Sequence, residues 1–434
     1  MDIESPLRGQ KIVFRQAEQN SILLAFVIAR TIKPRATAAL GFSGYELLFG
    51  GKVFLLTIRK SWRCDMKYRR KLFSVKDAYS FDDELFMKAV RENFLHITQR
   101  CDDYRRIAEH YGISAESLES AEDISRLPVL PTLLFKKHRI SCKGAYAVRA
   151  TSSGTSGRFS DIAFDVGGLL CGLKMVLRIA PMRGLISPVP CHYIVMGYKP
   201  HRGNRTAVTK TAFGATLFTP ALSRRYILRY TNGGYSPDFE GVINALQKHE
   251  HSRFPTRLMG FPAYTYFLMK MMDERSISLR LPKGSKILLG GGWKQFYAER
   301  ADKEEFYRLA EKVLGIRDDS IVEFFGAVEH PILYCDCPRH HFHIPAYSRV
   351  LIRSADTLAP LPIGEAGLVN LVTPMVAKTP LLSVMTDDIG VLHPAEECGC
   401  GIKTPFLEII GRTATEDIKT CAAGAAELLK GAGL

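Results

Sequence analysis

The sequence has no segment long enough to span a membrane. Its longest apolar run, Ile22 to Ala29, is eight residues, well short of the about 20 that a helix needs to cross a bilayer. No signal-peptide cleavage site of small residues follows it. With ten cysteines in 434 residues, this predicts reduced thiols in the cytoplasm rather than a secreted disulfide framework. Internal repeats and low-complexity tracts are missing too, which sets aside fibrous and disordered classes. The glycine-rich stretch Thr151–Gly157 has neither the G-x-x-x-x-G-K-[ST] nor the G-x-G-x-x-G spacing, so it is neither a Walker loop nor a dinucleotide fingerprint.

What is present is an ordinary folding composition, 46% hydrophobic and 24% charged, in a chain comfortable for two domains. The formal charge is +15, but residues 1–70 hold thirteen Lys/Arg against five acids, and the other 364 residues share only +7. No recognised nucleic-acid module accompanies that charge, and a mild excess suits anionic nucleotides without requiring a polyanion. Residues 1–74 show no sustained period and read as a basic N-terminal extension. Met66 stands just before "KYRRKLFSVKDAYSFDDELF", where a helix signal begins. The natural product starts there, or the upstream residues are a variable extension; mass spectrometry of the native N-terminus decides.

From Ser80 the pattern sharpens. Ser80 or Asp82 caps a helix whose apolar positions run from Leu85 through Phe94 and Ile97 to Tyr104, with Gly112 as its stop. "LPVLPTLLFKK" then reads as an extended lead-in punctuated by Pro128 and Pro131. Two short strands flank "TSSGTSG", and His192–Tyr198 reads as a buried strand. Further on, Lys286–Leu289 is a strand entering three glycines. A helix through Phe306, Leu309, Ala310, Val313 and Leu314 stops at Gly315, and Ile321–Phe325 is a second strand. Strand, helix, strand at this spacing is a βαβ unit, so the fold class is α/β with a parallel sheet. Ligands of such sheets collect where strands end, at Gly290–Gly292 and Gly326–Glu329.

Crowded glycines let backbone N–H groups converge on an anion, and serine and threonine hydroxyls add donors with little bulk. Read with the rest, "TSSGTSG" resembles the phosphate-binding signature of the adenylate-forming enzyme superfamily. "FFGAVEH", "MTDDIG" and "GRTATEDIK" resemble its aromatic-Gly-x-x-Glu, ribose and hinge segments, in that order. Within the superfamily the chain is most similar to the LuxE-type acyl-protein synthetases. The similarity spans about residues 75–425 and includes "LPVLPTLLFKK", "GGGWK", "CPRHHFH", "LPIGEAGLVNL", "CGCG" and "EIIGRTATEDIKTC".

The resemblance implies an adenylate-forming domain with parallel and mixed sheets flanked by helices over 75–410, and a short hinge and tail over 411–434. It implies an ATP- and Mg²⁺-dependent reaction that converts a carboxylic acid, by family expectation a fatty acid, into an acyl-adenylate. Thr151, Ser152, Ser153, Gly154, Thr155 and Gly157 would grip the outer phosphates. Gly290, Gly291 and Gly292 would pass beneath adenine and substrate, and Phe325, with Gly326 behind it, would stack on the base where tyrosine is usual. Glu329 would hold Mg²⁺, since a hard cation wants carboxylate oxygen. Asp388, ahead of Asp387, would accept from the ribose, and Arg412 marks the hinge. Phe261, Tyr264 and Trp293, with Pro262 and Tyr266 nearby, are expected to line the acid pocket.

Cys421 sits where similar proteins carry their activated acyl group; the local sequence is "EDIKTC", with threonine where glycine is usual and Lys419 two residues before. A thiolate attacks an acyl-adenylate well and leaves a thioester for a protein acceptor such as an acyl reductase to collect. Lys419 would assist the first step. Two other outcomes stay open: delivery of the acyl group to coenzyme A, and a non-catalytic nucleotide-binding protein on a degenerate ligase fold. Finally, "CDCPRHHFH" and "CGCG" bring soft ligands together. Cys337, His343, Cys398 and Cys400 would close a tetrahedral, structural Zn²⁺ site, with His341 and Cys335 as alternates. The phenylacetate-CoA-ligase-like enzymes are one of two related branches that resemble this arrangement.

Overall fold

The computed structural model describes residues 2–4, 11–13, 66–151, 160–201, 207–231, 233–292 and 301–412. The chain divides into two units, Met1–Arg63 and Cys64–Leu434. In the first, the described residues are two short antiparallel strands, β1 (Asp2–Glu4) and β2 (Lys11–Val13).

The second unit begins with α1 (Lys67–Leu72). Met66, Leu72 and Phe73 are buried, and so is Arg69, which donates to Asp165 at 2.8 Å and to the Met375 carbonyl at 3.0 Å. One member of the N-terminal basic run is thus an internal tie rather than a surface charge. Asp82, not Ser80, caps the next helix by accepting from the Leu85 N–H at 2.9 Å. The expected single helix is two, α2 (Asp83–Arg100) and α3 (Asp102–His110). Cys101 breaks them with an extended backbone, φ −128° and ψ 100°. Asp102 and Asp103 then restart the second helix with charges that favour an N-terminus, and Tyr104 packs edge-on against Phe94.

The "LPVLPTLLFKK" stretch is extended only over β3 (Leu130–Pro131); from there it is helix α4 (Thr132–Lys137). Pro131 sits just before the first turn, where a missing N–H costs nothing. The two strands beside the Ser/Thr/Gly run are β4 (Val148–Thr151) and β5 (Asp161–Phe164), paired antiparallel with Thr151 opposite Asp161. Helix α5 (Val166–Ile179) follows, capped by Asp165.

The central layer then assembles from β6 (Cys191–Tyr198), α6 (Ala207–Ala215), β7 (Ala221–Thr231), β8 (Gly234–Pro237) and α7 (Phe239–Glu250). It continues through β9 (Thr256–Gly260), α8 (Pro262–Glu274), β10 (Lys286–Leu289) and α9 (Lys303–Leu314) to β11 (Ile321–Ala327) and β12 (His330–Cys335). The seven strands lie in the order β12-β11-β10-β9-β6-β7-β8. The inner five are mutually parallel and the two edge strands antiparallel, so the fold is α/β with a mixed sheet, as expected.

Alternation along these strands divides the apolar residues between two cores. Ile194, Met196, Leu258, Ile287 and Leu289 face α7, α8 and α9, packing on Leu246, Leu268 and Val313. Tyr193, Val195, Met259, Leu288 and Val322 face the other way, into a core shared with α2 and α5. That second core is closed by an antiparallel sheet built from β13 (Phe342–His343), β14 (Arg349–Arg353), β15 (Ala366–Val372), β16 (Ser383–His393) and β17 (Phe406–Arg412). Its order is β13-β17-β16-β15-β14, with β3 parallel to β16. Among the described residues no helix is long and apolar enough to cross a membrane.

Candidate nucleotide site and metal cluster

The carboxyl ends of β9, β10 and β11 form one ledge. Leu289 pairs with Gly260 on one side and Glu323 on the other, which sets Gly260–Phe261, Gly290–Gly292 and Phe324–Gly326 side by side. The Gly290 N–H donates to the Gly260 carbonyl at 2.9 Å. Gly260, which the sequence reading passed over, is the most constrained residue here. Its φ is +136°, and a Cβ would sit 2.4 Å from the Met196 carbonyl oxygen. Its signal was present in "LMGFPAY", a strand running through glycine into a proline-initiated helix. Gly290 differs: among the described residues a Cβ there would meet only Phe324, at an ordinary 3.8 Å.

Glu329 lies in the turn between β11 and β12, rather than at the end of an apolar strand. The hairpin register shifts between Phe325 and Ala327, the extra residues bulging on β12 opposite Gly326, whose Cβ would come within 3.1 Å of the Ile332 carbonyl. The Glu329 side chain is buried, and among the described residues it makes no hydrogen bond or ion pair. His330, directly after it, is a neutral anchor. Its Nε2 meets Tyr334 Oη at 3.1 Å and Ser348 Oγ at 3.2 Å, and burial pushes its pKa down to about 3.

Two adjacent acids occupy the middle of β16, and alternation sends them to opposite faces. Asp387 accepts from Thr132 Oγ1 at 2.9 Å and lies 3.5 Å from Lys136 Nζ, both on α4. Asp388 pairs with Arg412 Nε at 3.0 Å, across the register of β16 with β17. Burial raises the Asp388 pKa against the opposing pull of Arg412.

The β4–β5 hairpin is fastened at its base. Thr379 Oγ1 accepts from the Ala163 N–H and donates to the Ala163 carbonyl, at 3.0 and 3.1 Å. Lys378 Nζ donates to the carbonyls of Cys142 and Gly144. Arg149 and Arg139 both pair with Asp161, at 2.7 and 3.0 Å. Thr151 closes β4. Ser152, Ser153, Gly154, Thr155 and Gly157 lie outside the described residues, as do Trp293, Lys419 and Cys421.

Phe261 and Tyr264 begin an aromatic row at the same end of the sheet. Phe261 meets Tyr198 at 5.9 Å, and Tyr198 meets Tyr235 at 4.9 Å. Tyr266 packs elsewhere: its ring lies 6.4 Å from Phe306 and its hydroxyl donates to Glu305 at 2.7 Å.

The four soft ligands converge. One donor atom each from Cys337, His343, Cys398 and Cys400 lie within 4.8 Å of one another. The Sγ atoms of Cys337 and Cys398 are 3.5 Å apart, and His343 Nε2 is 3.2 Å from Cys400 Sγ. Zinc bonds of about 2.3 Å to sulfur and 2.0–2.1 Å to nitrogen place ligand atoms about 3.5–3.8 Å apart in a tetrahedron. His343 Nδ1 donates to the Thr404 carbonyl at 2.6 Å, which leaves Nε2 as the lone-pair donor facing the thiols. The Arg339 N–H points at Cys337 Sγ from 3.3 Å and His341 Nδ1 at Cys398 Sγ from 3.1 Å, both suited to thiolate sulfur. The donor set therefore fits zinc. Of the alternates, His341 is an outer partner and Cys335 bonds back to the Asp336 carbonyl.

The family model for the LuxE acyl-protein synthetases matches residues 73–430. The chain belongs to this family. Two curated relatives are long-chain-fatty-acid–luciferin-component ligases. The Vibrio harveyi protein is 26% identical over 349 residues, 78% of this chain and 86% of the relative; that of Aliivibrio fischeri is 26% identical over 373 residues, 81% and 91%. Among solved structures, 2-hydroxyisobutyryl-CoA ligase with its 2-hydroxyisobutyryl-AMP aligns with a TM-score of 0.57 at 15% identity. That alignment covers 76% of this chain and 67% of that one. An open form with CoA gives 0.59 at the same identity, covering 76% and 74%. The LuxE family member described here is accordingly an ATP-dependent, AMP-forming ligase on an adenylate-forming fold: a carboxylic acid is activated as its acyl-adenylate, and acyl transfer to protein is the family's role.

Proposed function

We propose that the acid is a long-chain fatty acid and that its acyl group passes through Cys421 to an acceptor protein such as an acyl reductase. A carboxylate oxygen attacks the α-phosphorus of ATP, the bond to the β-phosphate oxygen breaks, and pyrophosphate leaves. The Cys421 thiolate then attacks the acyl carbon, expelling AMP with the former carboxylate oxygen. The protein's part is positioning and charge neutralisation. Phe325 stacks on adenine, Asp388 with Arg412 takes the ribose, and Thr151–Gly157 receive the outer phosphates. Phe261, Tyr264 and Trp293 line the acid. The bare backbone at Gly290 fits this reading, because among the described residues no neighbour forbids a side chain there.

One observation carries the proposal: the buried Glu329 carboxylate, beside the glycine ledge, without a partner among the described residues. Such a carboxylate is open to a hard cation arriving with the nucleotide. Glu329 is the Mg²⁺ ligand in this reading; the ion, when bound, neutralises phosphate charge. The Cys337–His343–Cys398–Cys400 cluster holds a structural zinc, with all four positions taken by protein.

Acid-dependent ATP–pyrophosphate exchange across a panel of carboxylic acids is the test. Exchange should be strongest with long-chain acids and fall about 10²-fold or more in Glu329→Gln. Undiminished exchange in that variant sinks the site assignment. CoA-dependent AMP release by Cys421→Ser would transfer the acceptor role to CoA.

A further inference from the structure

We infer that the zinc site is a clamp that sets the distance between two separately built halves of the nucleotide site. The inference rests on the zinc and nucleotide readings above and adds what the metal does. The base and cation residues, Phe325 and Glu329, belong to the β11–β12 hairpin of the mixed sheet. The ribose pair, Asp388 and Arg412, belongs to β16 and β17 of the antiparallel sheet. The ligands straddle the same division. Cys337 follows the last residue of β12 by two positions, His343 ends β13, and Cys398 and Cys400 lie on the connection from β16 to β17.

Apolar packing is thin at that corner. Strand β13 has two residues and pairs only with Leu407 and Phe406. The buried apolar cluster there comprises Cys337, Cys398 and Phe406, with Cys400 and Ile402 against it, apart from both main cores. Two of its three buried members are proposed ligands, so a bound metal would tie the corner more firmly than its apolar burial does. The turns are shaped for it. Gly399 and Gly401, at φ +67° and +88°, bracket Cys400, conformations open to glycine that let both sulfurs of one turn face a single point. His340 takes φ +59° in the opposing turn, held by Nδ1 to Asp336 Oδ2 at 2.7 Å.

A contact transmits the constraint. Phe342, the neighbour of ligand His343 on β13, sets its ring 6.0 Å from Phe325. Fixing β13 therefore fixes the wall behind the base-stacking residue, while the same ion fixes the approach to β17 and Arg412.

AMP is the suitable probe, since it spans base and ribose partners without the outer phosphates. The purified chain should contain one zinc per molecule by elemental mass spectrometry. Chelation under reducing conditions should weaken AMP binding tenfold or more by calorimetry, lower the melting temperature, and be reversed by added zinc. Coupling is reciprocal, so saturating AMP should raise zinc affinity tenfold in Cys400→Ser, a variant that keeps three ligands and needs no stripped protein. Zinc that is stoichiometric yet exchanges with no effect on AMP affinity, and no AMP effect on zinc in Cys400→Ser, overturns the clamp and leaves the metal site standing. Absence of zinc, with Cys400→Ser melting as wild type, overturns both. A native chain that binds zinc but no AMP overturns the clamp together with the nucleotide reading.

Discussion

Arg69 offers the sharpest energetic test of the fold around the β4–β5 hairpin. Its guanidinium is buried and bonds Asp165 through both oxygens, at 2.8 and 3.3 Å. Asp165 also accepts from the N–H groups of Gly168 and Ala377, each at 3.0 Å. Burial pushes the Asp165 pKa up, but Arg69 and these N–H groups outweigh it and the net shift is downward. Arg69→Met leaves that carboxylate without its cation, a loss of about 3–5 kcal/mol for a broken buried pair. Gly167 gives the argument a second handle, because a Cβ there would stand 2.2 Å from Arg69 Nη2. Gly167→Ala should gain about 1 kcal/mol of helix propensity yet lose the ion pair, for a net cost of about 2–4 kcal/mol. In the Arg69→Met background the tightest obstruction is gone, leaving a Cβ approach of 2.9 Å to Asp165 Oδ2. There the propensity gain of about 1 kcal/mol is set against that crowding alone, so the same substitution should be close to neutral. Urea midpoints for the four proteins measure this directly. Additive costs, with Gly167→Ala destabilising in both backgrounds, would refute the account of why α1 is needed at the base of the hairpin.

The remaining predictions concern the site and its surroundings. Asp387→Asn should chiefly lower stability, by about 1–3 kcal/mol, because it loosens Thr132 and Lys136 of α4. Asp388→Asn should instead raise the KM for ATP about tenfold or more with little change in melting temperature; equal effects from the two would undo the division of roles. His249 is buried against His192, ring centroids 4.1 Å apart, and burial lowers its pKa to about 4. Its folded pKa lies below the unfolded value of about 6.5, so its contribution is whole above pH 6.5 and is lost as pH falls toward 4. Between pH 7 and 5 the loss is about 2 kcal/mol, and His249→Phe should flatten the slope of the urea midpoint against pH by up to one proton. Cys421→Ser should keep pyrophosphate exchange while abolishing the thioester that survives denaturation and is cleaved by hydroxylamine; a retained adduct would place the acceptor elsewhere.

The parts of this molecule that sequence makes plain are those whose pattern is local. Period-two and period-3.6 runs identify β6, β10, α9 and β11, because each must bury a face set by its own residues. The Cys/His cluster is legible for a related reason: few side chains bind soft metals, and two compact groups of them stand out anywhere in a chain. What escapes is decided by pairing over long separations. Beside Cys101 only the Asp102–Asp103 pair hints that α2 and α3 part there, and either course buries Phe94 and Tyr104; the tertiary fit chooses. Arg69 looks like one more charge in a basic run until Asp165 and Met375, far along the chain, close around it. Asp387 and Asp388 are equivalent in "MTDDIG", and only the arrival of α4 on one face of β16 and Arg412 on the other separates them. Gly260 shows the same limit from the opposite side. Its need for glycine comes from the Met196 carbonyl on a neighbouring parallel strand, so a single substitution, Gly260→Ala, should force apart β6 and β9 at the point where the ledge begins. Its cost should exceed that of Gly290→Ala, where among the described residues only Phe324 stands near, while Gly290→Ala should fall more heavily on nucleotide binding. Measuring stability and AMP affinity for this pair separates glycine kept for the chain from glycine kept for the ligand.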